Sequence, residues 1–428
     1  MGLIADLKKP REIDVGSDAA LGKQIAMLPN GKVKGTLKAV VGLPIGSQVV
    51  KPIDLLLALG RATTPPVPAI LTMSSRWAVL RYVWAFAASK PAPAVNRLRL
   101  SEDTRFLRLH QRSLFAEDMG VALTHYFLRK ALETRHPGRT IFPADAEYAL
   151  WVGQAVSDVA GTPAATVGIL SNRFPDHLWV VVDAAGTGVE AVYASESKAT
   201  HYGPAAARRR MADGCAQITS IGAVVGGTWT PVEGFVFGAS LNRRRIRLQA
   251  IDPEGLDLRG DLPPLHRGRD RKPAVRLEGS RASITDAQEF RAAVIDTARA
   301  QFLSFGGEHE VAADLVRVPA GGRPAEGGDA GAQGRLDVRE EPAERSFGGR
   351  PQRGTRITAS LEGGEQLEAF FGTDREVRDA IVRADLRGEI AARAQVRHAR
   401  QALADSPDDE AVATSFLDDG SVLQITRR

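Results

Sequence analysis

The chain has 428 residues, of which 43% are hydrophobic and 25% charged, with a net charge of +5. That length accommodates two or three domains and that composition is ordinary for a globular protein with a real core; the basic excess suits a polyanionic partner and a solvated basic surface about equally. One cysteine, Cys215, excludes an intramolecular disulfide, and neither a signal-peptide core nor a bilayer-length apolar run is present, so a cytoplasmic protein without membrane contact is expected.

Residues 1–100 carry no chemical constellation and are expected to form an accessory or partner-recognition region. Met27-Leu28-Pro29-Asn30-Gly31 reads as a turn, and 40–50 as short strands broken by Gly42 and Gly46. A helical turn or two is expected over 53–59, and a buried helix over 77–88. The Pro-rich stretch Thr63-Thr64-Pro65-Pro66-Val67-Pro68 between them must be extended. Short strands are expected at 98–100 and 106–109. An amphipathic helix follows over 113–132, where Phe115, Met119, Leu123 and Phe127 recur every four residues. Glu117 and Asp118 fall in its first turn, where carboxylates suit the helix dipole. His136-Pro137-Gly138 stops it.

A helical stretch at 146–159 and a strand at 166–170 come next. The apolar runs 178–182 and 189–194 flank Ala184-Ala185-Gly186-Thr187-Gly188, which reads as a hairpin connection. A helix is expected over 204–216, and strands at 221–225, 235–237 and 246–251. Thr285-Asp286-Ala287-Gln288 is a capping box that opens a helix through Phe302. Residues 321–354, rich in Gly, Arg, Glu and Pro, read as a disordered linker. A small C-terminal α+β domain, 355–428, follows it, with a strand at 357–361, a long helical region at 374–404 and an Asp-Gly hairpin within 416–425.

Chemistry concentrates between 173 and 217. If the two apolar runs pair, Asp176 at the start of one meets Glu196 at the end of the other, because neighbouring strands lie about 4.8 Å apart. Side chains alternate along a strand, so Glu196 and Lys198 share a face and Ser197 takes the other. Two carboxylates and an amine then occupy one small volume. Mg²⁺, with Mn²⁺ as a substitute, suits such oxygen ligands together with water and a substrate phosphate. Lys198 can orient or deprotonate the attacking water. A hairpin-end salt bridge is the bland alternative for any single E-x-K triplet. Two basic runs, Arg208-Arg209-Arg210 and Arg243-Arg244-Arg245, suit phosphate contact or a solvated basic face.

Arg173-Phe174-Pro175-Asp176 and Ser195-Glu196-Ser197-Lys198, preceded by a helix holding Ala116-Glu117-Asp118-Met119-Gly120 and followed by Gly214-Cys215-Ala216-Gln217, resemble the PD-(D/E)XK nuclease superfamily over roughly residues 113–251. The resemblance implies a restriction-endonuclease-like mixed β-sheet flanked by helices, within an α/β (α+β) chain, with a nuclease core over 101–310. It implies Mg²⁺-dependent phosphodiester hydrolysis, usually of DNA. It assigns Asp176 and Glu196 to the metal, makes Glu117 or Asp118 the first acidic ligand, and gives Gln217 a role beside a water or phosphate; backbone satisfaction is the ordinary alternative for Gln217. The expected activity is that of a DNA endonuclease in a restriction or antiviral-defence-like system. The alternative is a non-catalytic nucleic-acid-binding or assembly subunit, with a protein partner held through the N- or C-terminal region.

Overall fold

The computed structural model describes residues 3–28, 36–66, 76, 79–86, 96–150, 165–169, 174–186, 189–218, 221–225, 228–243, 245–253, 287–316, 338–360, 365–403 and 411–427. The N-terminal part contains helix α1 (Leu3–Lys8), strand β1 (Arg11–Gly16), helix α2 (Ala19–Ala26), strand β2 (Gly46–Val50) and helix α3 (Pro52–Thr63). Asp18 caps α2, accepting from the Leu21 amide at 2.7 Å. Pro52 occupies the first turn of α3, where its missing N–H costs nothing. That helix is longer than the one or two turns expected, and its leucines at 55–57 and 59 are fully buried. A 3₁₀ turn (Glu102–Phe106) leads into helix α4 (Leu109–Arg135). No strand forms at 98–100 or 106–109; an isolated bridge between Glu12 and Arg97 stands near the first.

Seven strands build the central sheet, in the order β2-β1-β10-β9-β6-β5-β3. The further members are β3 (Thr140–Asp145), β5 (His177–Val182), β6 (Val189–Thr200), β9 (Glu233–Ser240) and β10 (Arg247–Ile251). Strands β6 and β9 pair parallel, as do β1 and β10; the remaining pairs are antiparallel. The sheet is therefore mixed, and the chain is a mixed α/β protein. Strands β4 (Ala165–Ile169), β7 (Ile221–Val225) and β8 (Thr228–Pro231) form a separate three-stranded sheet.

Helices cover both faces. On one, α4 lies so close to β6 that a Cβ on Gly120 would come within 2.9 Å of the Ala199 Cβ. On the other, helix α5 (Pro204–Ile218) packs with Met211, Cys215 and Ile218 against Val236 and Ala194, joined by helix α6 (Ala287–Phe305) over β3 and β5. Burial pushes the Cys215 thiol up to about 12, so it serves as a packing residue.

Two expected boundaries dissolve. Residues 1–100 are not an accessory region, because β1 and β2 are strands of the central sheet: Asp14, Val15 and Gly16 sit opposite Arg247, Leu248 and Gln249. The stretch 321–354 is not a linker throughout. Strands β11 (Val338–Phe347) and β12 (Arg350–Ser360) form a ten-rung antiparallel hairpin. Its turn is Gly348-Gly349, both with positive φ (56° and 76°), as a two-residue hairpin turn of the primed type requires. Composition counts those glycines towards disorder, whereas here they set the turn. Charged residues of the hairpin form ion pairs, Arg356 with Glu341 directly across it and Arg345 with Glu368 of the strand beyond β12. Residues 321–337 lie outside the described residues.

The hairpin continues a second, wholly antiparallel sheet, β11-β12-β13-β15-β14, with β13 (Gln366–Asp374), β14 (Val412–Phe416) and β15 (Ser421–Arg427). Beside it lie α7 (His309–Leu315), α8 (Arg375–Val382) and α9 (Leu386–Leu403); Ala384, at φ 54°, breaks the expected single helical region into two. This unit shares the core of the central sheet. Phe371 packs edge-on to Phe305 at 5.7 Å, and the Ser415 hydroxyl donates to Asp54 of α3 at 2.7 Å.

Candidate functional site

The expected hairpin forms, with Leu178 opposite Ala194 and His177 opposite Ser195. Strand β5 starts there, but β6 runs on to Thr200. Its last five residues therefore have a strand partner, β9, on one side only. Asp176 occupies the vacated side at this step. Its backbone N–H donates to Glu196 Oε2 at 3.1 Å, and its own Oδ2 accepts from the Ser197 amide (2.7 Å) and the Ser197 hydroxyl (2.6 Å). Lys198 Nζ pairs with Glu196 Oε1. Asp176, Glu196 and Lys198 thus form one cluster, and Ser197 holds Asp176 in it. Strand alternation alone puts Ser197 on the opposite face and gives it no role; the signal available is its place inside the E-S-K triplet, one residue from each partner.

Helix α5 closes over the cluster at Gly214. A Cβ there would stand 2.9 Å from Val236 Cγ1 and 3.1 Å from Glu196 Cγ, so a residue without one lets the helix seat. Glu196 is consequently fully buried, while the Lys198 side chain remains 23% exposed and forms the open side of the site. Burial pushes the Glu196 carboxyl up to about 8; the charge of Asp176 adds to this, and the pull of Lys198 does not cancel it. Gln217, near the C-terminal end of α5, donates from Nε2 to the Phe174 carbonyl at 3.1 Å. It ties the helix to the segment that delivers Asp176.

The expected first acidic residue does not join. Helix α4 begins at Leu109, with Gln111 accepting from the Arg108 amide, so Glu117 and Asp118 lie in its third turn and not its first. The helix covers the Ser195/Ser197/Ala199 face of β6, whereas Glu196 and Lys198 point to the α5 face. Glu117 is exposed; Asp118 accepts from the Tyr82 hydroxyl at 2.7 Å, and burial raises its carboxyl. Among the described residues no group of three or more His, Cys, Asp or Glu side chains is placed to share a metal ion. The carboxyl next nearest in register is Asp145, at the end of β3 opposite His177; it accepts from the Tyr148 amide, and burial raises it.

His177 contacts the Ala62 carbonyl at 3.1 Å and His201 the Arg112 carbonyl at 2.8 Å. Of the two basic runs, Arg210 donates to the Ala199 carbonyl at 2.8 Å, while Arg208 is half-buried and Arg209 exposed on α5. Arg243 pairs with Glu102 at 3.2 Å and Arg245 with Asp14 at 3.0 Å. Arg244 lies outside the described residues. No family model, no curated protein and no solved structure matches the chain.

Proposed function

We propose that the protein is a metal-dependent nuclease of restriction-endonuclease-like architecture, hydrolysing phosphodiester bonds at the Asp176–Glu196–Lys198 cluster. The observation that carries this reading is that Asp176 meets Glu196, and Glu196 pairs with Lys198, where β6 outruns β5. The order α4, β3, β5, β6, α5, β9, with three antiparallel strands and a fourth parallel to the third, supports the finer fold assignment. A DNA substrate and a restriction or defence-like role come from the resemblance alone.

The donor set fits Mg²⁺ or Mn²⁺. Two carboxylates, one on β6 and one just before β5, offer hard oxygens, and a buried Glu196 whose carboxyl is pushed up to about 8 lacks a sufficient countercharge. Asp176 and Glu196 would hold the ion, which supplies charge stabilisation at the phosphoryl oxygens and a more acidic water. Ser197 fixes the Asp176 carboxylate at the edge of β6 through two hydrogen bonds. Glu196 must give up its proton to act, and the Lys198 amine beside it favours the ionised form. Lys198, on the open side, orients the attacking water.

The test is cleavage of labelled DNA by purified protein in Mg²⁺ and in EDTA. Cutting that requires Mg²⁺ and is lost in Asp176→Asn and Lys198→Ala, both still folded by circular dichroism, is the expected result; cutting that survives both substitutions rejects the assignment. One observation favours the non-catalytic binding subunit instead: Lys198 already pairs with Glu196, and among the described residues no third carboxylate completes the cluster. Mg²⁺-independent binding without turnover would select that reading.

A further inference from the structure

At the C-terminal ends of β6 and β9 two clefts flank the turn that follows Ser240. One, about 330 Å³, is lined by Arg97, Pro204, Ser240, Asn242, Arg245 and Arg247. The other, about 250 Å³, is lined among others by Arg105, Arg112, His201, Asn242 and Arg243. Asn242 belongs to both, so the clefts are neighbours across one ridge. Six arginines line them. Asp14 serves both Arg245 and Arg247, and Glu102 serves Arg243. Arg97, Arg105 and Arg112 have no ion pair among the described residues, which leaves a strong positive excess in concave surface.

Two exposed aromatic residues adjoin cleft-lining residues in the chain. Tyr202, 69% exposed, lies between His201 of one cleft and Pro204 of the other. Phe106, 71% exposed, follows Arg105, whose guanidinium sits 4.6 Å from the Phe106 ring centre. Neither ring belongs to the core, and both residues are mostly exposed. Arginines that take phosphates beside rings that take bases form the combination that binds unpaired strands, because every base has a face to stack. In a duplex those faces are already stacked, and the rings have nothing to receive.

We propose that the two clefts, with Tyr202 and Phe106, bind single-stranded nucleic acid: the arginines hold consecutive phosphates and the rings stack bases. The inference rests on the nuclease reading for where the strand leads. Lys198 and Thr200 are two residues apart on β6, roughly 7 Å, so a strand gripped beyond Thr200 continues to the Asp176–Glu196–Lys198 cluster. It gives that site an unpaired strand as its substrate.

Binding can be measured apart from turnover. Full-length protein in EDTA is titrated against a fluorescein-labelled oligodeoxynucleotide and against its duplex, by anisotropy, over a range of salt. The single strand should bind at least about tenfold more tightly than the duplex. Tyr202→Ala and Phe106→Ala should each weaken single-strand binding about fivefold or more, with Tyr202→Phe close to wild type. Arg97→Glu with Arg247→Glu should flatten the dependence of log affinity on log salt by about 0.7 for each phosphate no longer neutralised. Tyr202, Phe106 and Arg97 are exposed and Arg247 is half-buried, and circular dichroism verifies the fold of each variant. Equal affinity for duplex, or alanine variants that bind as wild type, overturns the inference. If single-strand binding behaves as stated but Mg²⁺ elicits no cutting, the nuclease reading fails and the binding surface stands.

Discussion

Two places in this molecule bury carboxylates beside basic side chains, and they do so to opposite effect. Asp419, between β14 and β15, is 2% exposed; Oδ2 accepts from Arg61 Nε at 3.1 Å and Oδ1 from the Ser421 amide at 2.9 Å, with Arg129 at 3.7 Å. Burial works to raise its carboxyl, but Arg61, Arg129 and Arg393 together hold it well below the usual aspartate range. Glu196 is as deeply buried, has one lysine and one competing aspartate, and is pushed up to about 8. The first carboxylate is saturated with cations and joins α3, α4 and α9 to the second sheet. The second is short of positive charge and opens through Lys198 to solvent. A saturated buried charge is a structural joint; an undersaturated one beside a second carboxylate is where an added cation would be stabilised.

The contrast can be broken most severely at the joint. Asp419→Ala leaves Arg61 and Arg129 buried without their carboxylate and should destabilise the protein by about 3–5 kcal/mol, measured by urea unfolding. At the corner the largest effect should be on rate. Lys198→Ala should reduce Mg²⁺-dependent cleavage at least about 100-fold while changing stability by less than about 1 kcal/mol. Cleavage and urea midpoints measured on the same preparations separate the two behaviours.

The pH dependence of stability should also have opposite signs. Glu196 has a folded-state pKa raised from 4.5 to about 8, so its contribution to stability is complete below about pH 4.5 and is lost as pH rises through about 8. Asp419 has a depressed folded value; its contribution is present above the ordinary aspartate pKa of 3.8 and is lost as pH falls through that depressed value. Glu196→Gln, in EDTA, should therefore gain stability relative to wild type across pH 4.5 to 8, by about 1–3 kcal/mol at the upper end. A difference that is flat in pH would refute the undersaturated state of Glu196. The smallest effect belongs to Ser197→Ala, which removes one of the two hydrogen bonds on Asp176 Oδ2 and leaves the amide: about 0.5–1.5 kcal/mol in stability and a several-fold slower rate.

The parts of this architecture governed by local rules are legible in the chain. Strand alternation gives Glu196 and Lys198 one face, the hairpin brings Asp176 to Glu196, and the apolar periodicity announces α4. The unread parts depend on partners distant in sequence. Nothing between residues 11 and 16 indicates pairing with 247–251, because register is set by the completed sheet. Composition alone absorbs Gly348-Gly349 into a disordered stretch and overlooks their turn geometry. The misplacement of Glu117 and Asp118 follows from starting α4 four residues late; a capping arrangement between Arg108 and Gln111 lies outside the Ser/Thr/Asp pattern that marks most helix starts. The role of Ser197 is only hinted at by its place in the E-S-K triplet, because it becomes a hydrogen-bond donor to Asp176 only once β5 ends short of it.

The proposed chemistry requires Asp176 and Glu196 to form a divalent-cation site. Isothermal titration of the full-length protein with Mg²⁺ alone tests this most directly, with wild type and Asp176→Asn compared side by side. A saturable, one-ion isotherm in wild type that is lost in Asp176→Asn is the predicted result; no saturable binding in wild type, or an unchanged isotherm in the variant, would contradict it.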